Sequence, residues 1–97
     1  SPEIEDALYQ HPAVLECAVI GVPDKQWGET PKALVVLRPD HPPSERELID
    51  FCRDHLAHFK CPTSVEFIPE LPRTATGKLQ KFRLRDQYWG QTDRKVN

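Results

Sequence analysis

Ninety-seven residues are enough for one domain with a modest core and too few for two. At 38% hydrophobic and 29% charged, the composition is that of an ordinary globular protein; no apolar run approaches the roughly 20 residues that span a bilayer, and nothing resembles a signal peptide. The formal charge of −2 hides an asymmetry, because residues 1–70 carry six Lys/Arg against thirteen Asp/Glu and residues 71–97 carry seven against two, so an anionic partner is expected at the C-terminal end.

The chain opens on a helix. Ser1 can cap it, Pro2 suits its first turn, and Glu3, Glu5 and Asp6 favour the positive end of its dipole. Ile4, Ala7 and Leu8 form its apolar stripe, and Pro12 stops it. "VLECAVIGV" (14–22) is β-branched and nearly all apolar, as expected of a strand covered on both faces. "PDKQWGE" is turn-like, and "ALVVL" (33–37) is a second strand. After the breakers of "RPDHPP", Ser44 and Glu47 form a capping box for a helix with Leu48, Ile49, Cys52, Leu56 and Phe59 at helical spacing. Pro62 ends that helix, and "SVEFI" is a third strand. A short basic helix over about residues 79–89 closes the domain, with Leu79 and Phe82 inward and Gly90 as its stop. The order αββαβα gives an α+β domain with a small three-stranded sheet covered by helices. Three cysteines, an odd number, point to reduced thiols and a cytoplasmic protein.

Between the third strand and the last helix lies "LPRTATGK" (71–78). A phosphate-binding P-loop needs G-x-x-x-x-G-K-[ST], but Pro72 stands at the first glycine and Leu79 at the Ser/Thr. What remains is a loop stiff at Pro72 and flexible at Gly77, with two threonine hydroxyls and one ammonium. Lys78 would act there as a movable point charge for a carboxylate or phosphate oxygen. The plain alternative is a solvated turn before a basic helix, and local chemistry alone weighs the two evenly.

Other candidates carry less. Cys52, His55, His58 and Cys61 recur every three residues and invite a zinc site. On a helix each step of three falls about 60° short of a turn, so the four sweep across half its surface and cannot converge on one ion unless the helix breaks early. Cys52 is then a core thiol and His55 a surface residue. Trp27 is expected to cap the sheet edge rather than to serve as an exposed recognition aromatic. An overall acidic chain argues against nucleic acid as a partner.

Four segments together, "SPEIEDALYQHPAVLECAVIGVPD", "GE" with "ALVVL", "CRDHLAHFKCP" and "ELPRTATGKLQKFRLR", resemble the C-terminal domain of the adenylate-forming enzymes, in family order over residues 1 to about 86. The likeness is greatest to the AMP-forming acyl-CoA synthetases. The resemblance implies a lid domain (1–90) with a polar tail (91–97), acting on an N-terminal adenylation domain that is absent together with the hinge. It implies a carboxylic acid, most like a fatty acid, with ATP, Mg2+ and CoA, the magnesium ligands lying in the missing domain and no metal held here. Lys78 matches the family's catalytic lysine, with Thr76 and Gly77 in the same ATP/adenylate loop. Arg53, Phe59 and Lys60 stand where some members bind the CoA nucleotide, although Cys61 and Thr63 replace basic residues of some relatives. The fragment alone is then expected to be inactive. An adenylation domain of a nonribosomal peptide synthetase, loading a carrier protein, is the runner-up. A stand-alone module binding phosphate or an acidic partner is the alternative of another class.

Overall fold

The computed structural model describes residues 2–40, 42–56 and 61–96, with 90–96 in backbone only. Three helices and three strands follow in the expected order: α1 (Pro2–Tyr9), β1 (Val14–Asp24), β2 (Gly28–Leu37), α2 (Glu45–His55), β3 (Ser64–Phe67) and α3 (Lys81–Val96). The sheet order is β1-β2-β3, with β1 antiparallel and β2 parallel to its neighbour β3. A parallel neighbour needs a crossover, which α2 supplies.

Alternation along β1 and β2 divides the apolar residues between two cores. Cys17, Val19, Ala33 and Val35 face Ile4, Ala7 and Leu8 of α1 and Leu48, Ile49 and Cys52 of α2. Ala18, Ile20, Leu34 and Val36 face Leu71 and Leu84 on the other side. The near-continuous apolar runs in both strands are the signature of a sheet covered twice. Register shifts between Val14 and Glu16, where Leu15 is the extra residue. This β-bulge puts Val14 into the first core while Glu16 keeps to the side of Ala18 and Ile20.

The outer edge of β1 is closed by side chains. Thr63 N–H donates to Pro31 O, and Ile68 N–H to Val35 O, so odd residues of β2 turn their backbone toward β3. Their partners Cys17, Val19 and Gly21 therefore point their own backbone groups away from β2. Cys17 N–H donates to Tyr9 Oη at 3.3 Å and Val19 N–H to Glu5 Oε2 at 2.8 Å, while Gly21 O accepts from Trp89 Nε1 at 2.8 Å. The partners of these three groups leave less of the edge as a template for another strand.

Several local expectations need correction. Helix α2 begins with Ser44 Oγ accepting from Glu47 N–H at 3.1 Å, but the Glu47 carboxylate meets His11 Nε2 at 3.3 Å. The helix ends at His55, with Leu56 extended, and the expected helical Phe59 lies outside the described residues. Cys52 is in the core, and exposed His55 joins its Nδ1 to Phe51 O. Trp27 caps no edge: it is 72% exposed at the β1–β2 turn, where Asp24 Oδ1 accepts the N–H groups of Gln26 and Trp27 and Gly28 takes φ +80°. Leu79 precedes α3 instead of lying in it, and Phe82 is 58% exposed. Starting at Lys81 shifts the phase, so Leu84 and Tyr88 form the inward stripe. The helix also passes through Gly90 to Val96, because one glycine costs only about 1 kcal/mol relative to alanine and no proline follows it.

All three cysteines are buried, and none is in a disulfide. The Cys17 thiol is pushed up from 9.0 to about 12, by burial first and then by the Glu5 carboxylate; burial and Cys61 push Cys52 up to about 11. The native state keeps protons here that the unfolded chain releases, so stability should fall as pH rises above about 9 and on toward 12. Urea unfolding at pH 8 and 10.5 measures this loss, and Cys17→Ala should reduce it. Leu34→Ala, at a position 1% exposed, should cost about 2–5 kcal/mol in the same assay. Trp27→Ala should change stability by no more than about 0.5 kcal/mol.

Candidate functional site

Residues 71–80 form a closed hairpin on the face of the sheet that also carries α3. Leu71 is buried in the second core and anchors its start; Leu79 packs against the same core and anchors its end. Arg73 and Leu79 pair as an isolated antiparallel bridge, and Gln80 N–H donates to Pro72 O at 3.0 Å. Inside the bridge Thr74 is the hub. Its N–H donates to Lys78 O at 2.9 Å, and its carbonyl accepts Gly77 N–H at 2.9 Å. Its hydroxyl accepts from Lys78 N–H at 3.0 Å and lies 3.0 Å from Thr76 Oγ1. A threonine serves here because a short hydroxyl can bond nearby backbone, which suits turns.

Gly77 takes φ +88°, with nothing within 4 Å of where a Cβ would sit. The backbone angle, not crowding, selects glycine: an L side chain in this region costs about 1–2 kcal/mol. The turn presents Thr76, Gly77 and Lys78 exposed and side by side. Among the described residues the Lys78 ammonium has no ion-pair partner, while its backbone is bonded at both N–H and C=O. The loop is thus a hydrogen-bonded hairpin whose Lys78 ammonium is left without an ion-pair partner among the described residues.

Sequence reasoning missed the residues that hold this turn. Arg73 Nη1 donates to Gly77 O at 3.0 Å, and its Nη2 bonds Glu16 Oε1 on β1. Below the turn, Lys81 at the start of α3 pairs with Glu5, whose Oε2 also takes the Val19 N–H. A signal was present: Glu16 is the one charge inside the apolar run of β1, and such a charge needs a partner.

Arg53 lies elsewhere. It is exposed in the last turn of α2, which covers the opposite face of the sheet from the Lys78 hairpin. It sits close enough to Cys61 to favour the thiolate, although burial dominates and raises that thiol. Phe59 and Lys60 lie outside the described residues. The structure therefore groups Thr76, Gly77 and Lys78 at one site and keeps Arg53 apart from them.

Comparison with known proteins gives this geometry a context. Residues 3–78 match the family model of the AMP-binding enzyme C-terminal domain, a match that ends on Lys78. A probable CoA ligase, CCL11 of Humulus lupulus, is 51% identical over 89% of this chain and 16% of its own length. The fatty acid–[acyl-carrier-protein] ligase ScoC of Streptomyces coeruleorubidus is 47% identical over 98% of the chain and 18% of its own length. The solved structure of a Mycobacterium tuberculosis fatty acyl CoA synthetase superimposes with a TM-score of 0.83 at 43% identity, over 89% of this chain and 17% of that one. The chain thus spans less than a fifth of the length of these relatives. By the family match, the shared fold and this level of identity, it belongs to the C-terminal domain family of the AMP-binding enzymes.

Proposed function

We propose that this chain is the catalytic lid of an ATP-dependent carboxylic acid–CoA ligase, which forms an acyl-adenylate and then an acyl thioester. One observation carries the proposal: an exposed Lys78, with no ion-pair partner among the described residues, is held on a hydrogen-bonded turn in which its own backbone N–H and C=O are already bonded. An ammonium so placed is available to oxygens outside the domain. When the lid closes on an N-terminal adenylation domain, Lys78 binds the substrate carboxylate and oxygens near the α-phosphate. There it offsets the negative charge that shifts as the carboxylate attacks and pyrophosphate leaves. Thr76 and Gly77 shape the turn and, lacking bulk at Gly77, admit the nucleotide close to the backbone.

Magnesium supplies further charge neutralisation in such transfers. By the family resemblance, its ligands would come from the N-terminal adenylation domain. The second half-reaction would use the other face. Arg53 would meet the CoA nucleotide there as a fork for phosphate oxygens; Phe59 and Lys60, outside the described residues, are proposed as further contacts of the same nucleotide. Two candidate sites on opposite faces of one sheet fit a lid that rotates between the two steps. The 97 residues alone would hold no complete active site. Three thiols outside any disulfide fit a reducing compartment, the cytoplasm, and a role in fatty acid metabolism would fit the fatty-acid substrates named for two of the relatives above.

A second reading keeps the adenylation step and changes the acceptor. The ScoC relative acts, by its name, on an acyl-carrier protein, so a phosphopantetheine thiol on a carrier protein is the alternative to free CoA. The adenylation domain of a peptide synthetase belongs to the same alternative. A stand-alone phosphate-binding module has no comparable support.

In the full-length protein, Lys78→Ala should slow carboxylate-dependent pyrophosphate exchange on the order of 10²–10³-fold. Thioester formation from a supplied acyl-adenylate and CoA should persist. If both half-reactions keep their wild-type rates, the catalytic assignment is wrong. Arg53→Ala should raise the KM for CoA several-fold and leave pyrophosphate exchange unchanged. An unchanged KM would turn attention to the carrier-protein acceptor.

A further inference from the structure

We infer that Arg73 and Glu16 are positioning residues, a brace that runs from β1 through one guanidinium to the carbonyl just before Lys78 and fixes where that lysine is presented. The inference rests on the proposed role of Lys78 and adds two residues to it.

The geometry is specific. One guanidinium uses two of its nitrogens for two jobs: Nη1 donates to Gly77 O at 3.0 Å, and Nη2 engages Glu16 Oε1. Gly77 is the most permissive backbone position of the turn, at φ +88°. Its carbonyl is the group through which the peptide plane joining Gly77 to Lys78 can be held from outside. A glycine here gives the turn its shape and also costs it rigidity, because glycine has the most conformations to lose. The Arg73 bond acts on that weak point. Thr74 holds the other side of the same plane, its hydroxyl accepting the Lys78 N–H at 3.0 Å. The Gly77–Lys78 peptide is thus gripped at its oxygen and at its nitrogen.

The far end of the brace is also placed by design of the fold. Glu16 sits beside the β1 bulge, where Leu15 is the extra residue. The bulge lets Val14 return to the first core while Glu16 stays on the side of Ala18, Ile20 and the 71–80 hairpin. Bulges often re-aim a side chain in this way. Both side chains are about one-third exposed, 37% for Arg73 and 32% for Glu16. An exposed ion pair of that kind adds little to stability. Its consequence lies in geometry, because an error on the order of 1 Å in a charged group can cost about 10²-fold in rate.

Lysine cannot replace Arg73, since a single ammonium lacks the planar fork that reaches both acceptors. Four variants of the full-length protein test the brace: Arg73→Lys, Glu16→Ala, the double variant, and Lys78→Ala as reference. Each is assayed for pyrophosphate exchange and, separately, for thioester formation from supplied acyl-adenylate. Arg73→Lys should lower the exchange turnover about 10- to 100-fold, with the KM for ATP and the second half-reaction within about twofold of wild type. Glu16→Ala should fall in the same direction by less, and the double variant should be no slower than Arg73→Lys alone, because both changes break one connection. Equal losses in both half-reactions, multiplicative losses in the double variant, or no loss in Arg73→Lys would each overturn the brace. If Lys78→Ala itself leaves exchange intact, the proposed lysine role fails instead. A collapse in Lys78→Ala beside a normal Arg73→Lys would remove the brace and leave the lysine in place.

Discussion

Strand β2 must bury both of its faces, and the rest of the domain follows from that. Ala33 and Val35 lie in one core, and Leu34 and Val36 in the other. A strand has period two, so a slip of one residue would exchange the two sets and put each against the wrong partners. Antiparallel pairing with β1 locks the register over ten Cα pairs, and the bulge at Leu15 is absorbed near one end. Once both faces are apolar, each needs a cover. Helices α1 and α2 take one, and the 71–80 hairpin with α3 takes the other. The separation of Lys78 from Arg53 is therefore a consequence of the sheet, since each lies on a different cover.

Placing β1 at the edge creates a second demand. Backbone groups of Cys17, Val19 and Gly21 point outward and need partners in place of a fourth strand. Side chains from α1 and α3 provide them: Tyr9, Glu5 and Trp89. Glu5 then serves twice, because Lys81 at the start of α3 pairs with the same carboxylate oxygen that takes the Val19 N–H. Tyr88 extends the tie across the sheet, with its hydroxyl donating to Glu66 at 2.7 Å and Lys32 5.3 Å from its ring centre. Helix α3, whose first residues follow the lysine turn, is thus fastened through polar contacts at the edge as well as through Leu84.

The lysine turn itself shows how order and availability coexist. Its backbone is bonded within the hairpin and its side-chain cation is left exposed. A turn held this way carries its charge at a defined place. On the lid reading proposed above, delivery of that charge would be a matter of moving the domain rather than reshaping the loop.

Much of this was legible from residues alone. The apolar runs of β1 and β2, the helical spacing of Leu48, Ile49 and Cys52, and the Ser44 cap depend on neighbours within a few positions, and local chemistry is enough to specify them. The family resemblance located Lys78, whereas the left-handed φ of the glycine before it came only from the structure. Where a helix begins is also local but finely balanced: the start at Lys81 instead of Leu79 makes Leu84 and Tyr88 the helix's inward stripe and leaves Phe82 exposed, while Leu79 packs inward from just before the helix. Trp27 was misjudged because an aromatic at a turn carries no local sign of whether an edge lies within its reach. By itself, then, the sequence determined the elements, their order, the two-sided sheet and the presence of a turn ending in one lysine. Only the tertiary structure decided that Arg73 meets Glu16 from 57 residues away, that Trp89 reaches Gly21 across 68, and that Arg53 and Lys78 occupy opposite faces. Periodicity and capping act between chain neighbours, whereas these meetings exist only after β2 has joined its two cores.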